Sequence, residues 1–378
     1  MEILDFLLKN PLYLILAGFG FFWLIQMFYY LFFYSRIIFR KSKERNIDKE
    51  PVSIIICARN EEKNLEKFLP SILTQDYPQY EVIVVNDCSE DESEFVLERF
   101  QKQYKHLRTT TIKPDEKFYH GKKLALTVGI KAARYETLLL TDADCKAESN
   151  KWIEKIQANF NGKKEMVLGY GGYFPEKKLI NNLIRFDTLF IALQYLTMAL
   201  AKRPYMGVGR NMAYKKDLFF RNKGFAKHNH IISGDDDLFV NQVATKNNVA
   251  AEISRESITR SQAETSFSDW FKQKKRHTST GSLYSFGAKW RLFWENFSRV
   301  GFYILFILSL VFFTPFYQYI LIVFGFRLLL QLIVIKCAMR RFNEKNIWLP
   351  SLLYDFIMPY ISFSLFLANY FTRRNKWK

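Results

Sequence analysis

Residues 51–60 read PVSIIICARN, a proline, an apolar run and a polar finish. A short apolar run closed by polar residues is the pattern of a buried strand. The next residues, EEKNLEKFLPSIL (61–73), place acids in a first turn and apolar residues at helical spacing, so the strand feeds a helix. The pattern then repeats. YEVIVVNDCS (80–89) reads as a strand, DESEFVLERFQKQY (91–104) as a helix and LRTTTI (107–112) as a short strand. GKKLALTVGIKAA (121–133) reads as a helix and TLLLTDAD (137–144) as a strand. Such alternation predicts an α/β domain, a doubly wound and mostly parallel sheet that binds ligands at the carboxyl ends of its strands.

The polar residues at those ends carry the chemistry. The strands finish in Arg59-Asn60-Glu61, in Asn86-Asp87 and in Asp142-Ala143-Asp144. Neither G-x-G-x-x-G nor a P-loop is present, so phosphate would be held by metal and basic side chains rather than by a glycine cradle. A D-x-D pair alone means little, because about one is expected by chance in a chain of this length. Its position matters more. Two carboxylates one residue apart share a side of the pleat and offer hard oxygen ligands to Mg²⁺ or Mn²⁺. The plainer reading is a solvated turn after a strand.

A second acidic cluster lies in HIISGDDDLFV (230–240). Three adjacent like charges repel, which leaves a metal site, a general base or an acidic helix start favoured by the helix dipole. The nearby KHNH (227–230) has metal-like spacing but reads more simply as a loop.

Apolar runs bracket this domain. PLYLILAGFGFFWLIQMFYYLFFY (11–34) has no charged residue and as a helix is about 36 Å long, enough to cross a bilayer. It reads as an uncleaved anchor, since the leading segment is not basic and no small-x-small site follows. VGFYILFILSLVFFTPF (300–316) and YILIVFGFRLLLQLIVI (319–335) are each about long enough to span. IWLPSLLYDFIMPYISFSLFLANYF (347–371) is longer but interrupted by Pro350, Asp355 and Pro359. The expected layout is an anchor over 1–35, a soluble domain over 50–285 and about three spans over 298–372. The basic SRIIFRKSKER (35–45) after the first span places the soluble domain in the cytoplasm. Three C-terminal spans would leave RRNKWK (373–378) outside, whereas a re-entrant hairpin at the prolines would return it. Four spans in all is the preferred reading. Arg327 and Asp355 fall within apolar runs, where pairing with one another is one expectation and snorkelling another. TLFIALQYLTMALA (188–201) is too short to cross. It is expected to be a helix on the membrane face or a buried core helix.

The net charge of +18 accompanies no zinc-finger or RNA-binding signature, so nucleic acid is not the expected partner. Anionic head groups and a phosphorylated substrate are. Cys57, Cys88, Cys145 and Cys337 are unpaired by spacing, fitting a reducing compartment.

With these motifs in view, the chain resembles the membrane-bound family-2 glycosyltransferases of GT-A fold, the group of cellulose, chitin and hyaluronan synthases and ceramide glucosyltransferase. Five pieces occur in the family's order: VSIIICARNEEKNL (52–65), VVNDCSEDES (84–93), TDADC (141–145), GVGRNMAYKK (207–216), and SGDDDLF (233–239) followed by QKKRH (273–277). The resemblance implies a bacterial inner-membrane, cell-envelope enzyme that uses a nucleotide sugar, a UDP-sugar being favoured, with a lipid or glycan acceptor. It implies that Asp87 recognises the base, with Arg59, Asn60 and Glu61 in the same pocket. Asp142 and Asp144 would hold ribose, metal and diphosphate, and Lys122 and Arg276 would bring positive charge to the diphosphate. Gly209, Arg210, Asn211, Gln273, Arg276 and His277 would line the acceptor and diphosphate side. The base is expected at Asp235, three residues before Leu238, with Asp236 as its rival and Asp237 in support. His277 stands where processive relatives have Trp, which favours transfer of one sugar or a different acceptor.

Two other classes compete: a non-catalytic scaffold of an export complex, and a membrane nucleotidyltransferase. Intact carboxylates in all three acidic motifs disfavour the scaffold. Release of pyrophosphate rather than nucleoside diphosphate would mark the nucleotidyltransferase.

Overall fold

The computed structural model describes residues 12–40, 49–113, 121–231 and 233–371. The basic residues beyond 40 and the RRNKWK tail, on which the expected sidedness rests, lie outside the described residues. Helix α1 (Tyr13–Phe28) continues through a π-helical turn, Tyr29–Tyr34, into a short helical end at Arg36–Phe39. The alternating series follows as read: β1 (Val52–Ala58), α2 (Glu62–Leu73), β2 (Tyr80–Asp87), α3 (Ser93–Gln103), β3 (Leu107–Ile112), α4 (Lys122–Ala132) and β4 (Thr137–Asp142). These four strands are parallel in the order β3-β2-β1-β4. Cys57 pairs in register with Asp142 and Ala58 with Asn86, so the polar strand ends meet along one edge.

The apolar runs are continuous because both faces are covered. Ile54, Ile56, Val82, Val84 and Leu139 pack with α2 and α3, while Ile55, Ile83, Val85, Leu138 and Leu140 pack with α4. The second half of the domain comprises β5 (Lys146–Ala147), α5 (Trp152–Gln157), β6 (Met166–Leu168), β7 (Gly171–Tyr173), α6 (Leu179–Leu200), β8 (Met212–Lys215), α7 (Lys216–Arg221), α8 (Asp237–Val243), β9 (Val249–Ala251), β10 (Thr259–Ser261) and α9 (Phe267–Thr278). Strand β8 joins β4 antiparallel, and β6 and β9 complete a seven-stranded sheet, while β5, β10 and β7 form a separate small sheet. The fold is mixed α/β with a large, mostly parallel sheet.

Among the described residues, five helices are long and apolar enough to cross a membrane: Tyr13–Phe39, Leu179–Leu200, Phe286–Phe312, Thr314–Arg341 and Pro350–Phe371. The second of these, α6, has 22 residues, so the expectation that this segment is too short to cross does not hold by length. Of its most apolar stretch, 78% is buried, against 28–33% for the other four, so it is a core helix. Helix α10 (Phe286–Phe312) begins ahead of the apolar run read from sequence, and α11 (Tyr317–Arg341) and α12 (Pro350–Phe371) follow. Helix α12 runs unbroken through Pro359. Arg327 donates to Asp355 at 2.6 Å and to Gln26 of α1 at 2.9 Å, and Tyr303 donates to Asp355 at 2.7 Å. The charges within the apolar runs therefore neutralise one another and fasten α1, α10, α11 and α12 together.

A second buried cluster joins the helices to the α/β domain. Glu344, after α11, accepts from Arg185 of α6, from Arg260 of β10 at 2.5 Å and from Tyr170 at 3.0 Å. All four residues are buried.

Candidate active site

A cavity of about 1890 Å³ opens along the carboxyl edge of the parallel strands. It is larger than the ~300–1,000 Å³ of a single small-molecule site, which leaves room for a donor and an acceptor. Its walls include Arg59, Glu61 and Asp87, Lys122, Asp142 and Asp144, Gly209 and Arg210, Asp235, Asp236 and Asp237, and Gln273, Arg276 and His277. Thus all five sequence motifs and α4 converge on one space.

Asp142 ends β4, and Asp144 follows in the turn. Ligand atoms of Asp142, Asp144 and Cys145 lie within 4.8 Å of one another. Burial alone would raise both carboxyls. At Asp142 the ammonium of Lys122, with Arg210 and His277 beyond it, outweighs burial and holds the group below its usual value. At Asp144 burial and the neighbouring Asp142 charge prevail and push it up to about 6. Cys145 is buried, its thiol is raised by that burial and by the two aspartates, and it donates to Asp144 at 3.5 Å. The pair of hard carboxylate oxygens fits a divalent cation better than the protonated thiol does. Glu61 is raised by burial, and further by Asp142 and Asp91.

The acidic run faces this pair. Gly234 takes a φ of 94°, a left-handed conformation that a residue with a Cβ avoids, and turns the chain into α8. Asp236 caps that helix, accepting from the Asp237 amide at 2.7 Å and from the Gly209 amide at 2.8 Å. Burial and its two acidic neighbours raise its carboxyl to about 7. Asp237 is held by Thr280 at 2.5 Å and Tyr284 at 2.6 Å, and burial raises it despite those bonds. Lys122 joins the two halves. Its ammonium lies 2.7 Å from Asp142 and 3.3 Å from Asp235.

Arg210 lies over the ring of Tyr173, 4.3 Å from its centroid, and donates to Ser261 at 3.2 Å. Gly171 makes this possible, because a Cβ there would stand 2.5 Å from Arg210 Cγ. Helix α9 carries Gln273, Arg276 and His277 to the cavity, and is tied to α6 by Lys274–Asp187 at 2.7 Å. His277 faces Arg276, Lys274, Arg210 and Lys122, and desolvation by the cavity walls together with these cations pushes its pKa down to about 3.

Two expected site residues serve the scaffold instead. Asn211 is fully buried, accepts from Trp152 at 3.1 Å and donates to the carbonyls of Tyr170 and Ser257. Asn60, with a φ of 56°, accepts from the Glu90 amide at 2.8 Å, joining the first two strand-end loops. KHNH forms a turn at Ala226–His228, and Lys123 donates to the His228 carbonyl at 2.6 Å. Tyr173, Ser261 and Tyr284 also line the cavity and Thr280 supports Asp237, and no sequence motif marks these four residues.

The architecture is that of the GT-A glycosyltransferases. The mannosyltransferase PcManGT from Pyrobaculum calidifontis, solved with GDP-Man and Mn²⁺, superposes with a TM-score of 0.63 over 95% of this chain and 99% of its own, at 16% identity. That likeness is one of fold. Residues 53–220 match the family model described as Glycosyl transferase family 2. A poly-beta-1,6-N-acetyl-D-glucosamine synthase of Staphylococcus epidermidis is 30% identical over 148 residues, 38% of this chain and 33% of that protein. Glycosyltransferase AglE of Haloferax volcanii is 28% identical over 191 residues, 49% of this chain and 58% of that protein. The match spans about a third of the length of the first of these relatives.

Proposed function

We propose that this protein is a membrane-embedded, metal-dependent inverting glycosyltransferase. It moves a sugar from a nucleotide diphosphate to a lipid, lipid-linked or glycan acceptor at the cytoplasmic face. The observation that carries this reading is Lys122 spanning Asp142 and Asp235, since it puts the donor and acceptor carboxylates in one cavity.

Asp142 and Asp144 would hold Mg²⁺ or Mn²⁺, which offsets the charge gathering on the leaving diphosphate. Arg210, Arg276 and Lys122 supply further positive charge to the same group. Asp87 lines the same cavity and would recognise the nucleotide base. Asp235 serves as the general base. Both oxygens of Asp236 are engaged by main-chain amides, and Asp237 is held by Thr280 and Tyr284. Asp235 takes the acceptor hydroxyl proton as that oxygen bonds to the anomeric carbon. The bond from that carbon to the diphosphate breaks in the same displacement, which inverts configuration. The apolar, exposed flanks of α1, α10, α11 and α12 support membrane insertion.

The test incubates the full chain in membranes with a panel of nucleotide sugars and Mn²⁺, reading nucleoside diphosphate release. Asp142→Asn and Asp235→Asn should each reduce turnover at least about 10²-fold. Full activity in both variants, or release of pyrophosphate, contradicts the assignment.

A further inference from the structure

A second, smaller cavity lies apart from the candidate active site, at the seam between the α/β domain and the membrane-helix bundle. Its volume is about 330 Å³, and it is walled by Lys155 of α5, the 253–256 turn, and Arg340 and Arg341 at the end of α11. Four lining side chains are cations, Lys155, Arg255, Arg340 and Arg341, against one lining carboxylate, Glu256. Glu256 is matched by Lys155 at 3.1 Å. Among the described residues, the three guanidiniums have no carboxylate within ion-pair distance.

Neutral acceptors hold two of them in place. Arg255 donates to Asn343 at 2.5 Å, and Arg341 donates to the carbonyls of Ile37, Ile38 and Arg40. The Ser254 hydroxyl is buried and has no hydrogen-bond partner among the described residues. Gathering like charges without a counter-ion raises the energy of the folded chain, and an anion in the cavity lowers it. The location adds to the case. Phe326, Leu329 and Ile333 leave the flank of α11 apolar and exposed, and the helix then turns basic at Lys336, Arg340 and Arg341. The cavity thus opens at the level where phospholipid head groups would sit.

We infer that this cavity binds a phosphate-bearing anion, gripped by Arg255, Arg340 and Arg341 with the Ser254 hydroxyl as a further donor. Planar guanidiniums match phosphate oxygens in pairs, which a cluster of lysines would not do. A phospholipid head group and a free phosphate present the same oxygens.

The full chain in phosphatidylcholine nanodiscs separates these sources. One arm adds phosphatidylglycerol to the disc, and the other adds inorganic phosphate to the buffer at constant ionic strength. The readout is the apparent Tm. A rise of several degrees in either arm, abolished in an Arg255→Gln/Arg340→Gln double variant, is the expected result. A rise with phosphatidylglycerol alone identifies a lipid head group, and a rise with inorganic phosphate identifies a free anion. No rise in either arm, or an undiminished rise in the double variant, overturns the inference. Arg340→Gln alone changes an exposed side chain and serves if the double variant does not fold. It should reduce the rise, and an unchanged rise counts against the site. The readout is binding, so its failure is distinguishable from failure of glycosyl transfer.

Discussion

The ammonium of Lys122 stands 2.7 Å from the Asp142 carboxylate, and the same ammonium reaches Asp235 at 3.3 Å. It is partly exposed, so screening moderates the pair, yet Asp142 and Asp235 hold Lys122 protonated well above its ordinary value against the cost of burial. A divalent cation at Asp142 would compete with this ammonium, while a diphosphate would attract both.

Removing the Lys122 charge should therefore have opposite effects on metal and nucleotide. In Lys122→Met the aspartates face no competing cation, and Mn²⁺ titration without nucleotide should show tighter binding than in the wild type. The nucleotide sugar loses a charge partner, and kcat/KM should fall about 10²-fold. Equal weakening of Mn²⁺ binding and turnover would mean that Lys122 only supports the local fold.

Asp236 predicts a pH dependence of stability. Burial, then the charges of Asp235 and Asp237, raise its carboxyl from 3.8 to about 7. Between these values the folded chain binds a proton that the unfolded chain has released, so this group's contribution to stability declines as pH rises through the window. Asp236→Asn removes that decline. The apparent Tm of the variant minus that of the wild type should increase between pH 5 and 7.5, measured without metal or nucleotide. A constant difference would show that Asp236 ionises normally.

Gly171 should be sensitive to one methyl group. The added Cβ would meet the Arg210 side chain at 2.5 Å, and the stack of Arg210 on Tyr173 occupies that space. Gly171→Ala should displace the guanidinium and raise KM for the nucleotide sugar roughly tenfold, as expected for loss of one cation–π anchor and its hydrogen bond, about 1–2 kcal/mol. The melting temperature should change little, since Arg210 can swing into the cavity. A large loss of stability with unchanged KM would place the role of Gly171 in folding.

Much of this arrangement is legible in the sequence because the first four strands are long and close with polar residues. Asp87, Asp142 and Asp144 stand at strand ends that the pattern marks, and all three line the cavity. The antiparallel half is not, since β6 and β9 are Met166–Leu168 and Val249–Ala251, too short to show a period. Residue type also misleads about direction. Asn211 sits beside Arg210 in a polar segment, yet one side chain reaches the cavity and the other turns inward to Trp152. Thr280 and Tyr284 support Asp237 from 43 and 47 residues downstream, and nothing in their local pattern marks that contact. Helix α6 has the length and composition of a membrane span, and its burial selects the core-helix reading over the membrane-face one.

Glu344 illustrates what the helices add to the catalytic domain. Two guanidiniums, Arg185 and Arg260, converge on a carboxylate that is itself buried, and Arg260 also donates to the Tyr173 carbonyl at 2.9 Å. Glu344→Gln keeps the shape but leaves two buried cations with one charge partner fewer, a loss of about 3–5 kcal/mol. The apparent Tm should drop by at least about 5 °C. The exposed pair Arg99–Glu66, at 2.8 Å, provides the contrast, because solvent screens it and Glu66→Gln should cost under about 1 kcal/mol. Since the Arg260 cluster abuts the strand carrying Tyr173, Glu344→Gln should also raise KM for the nucleotide sugar at temperatures where the variant remains folded. A variant that loses Tm but keeps its KM would confine Glu344 to holding the helices and the domain together.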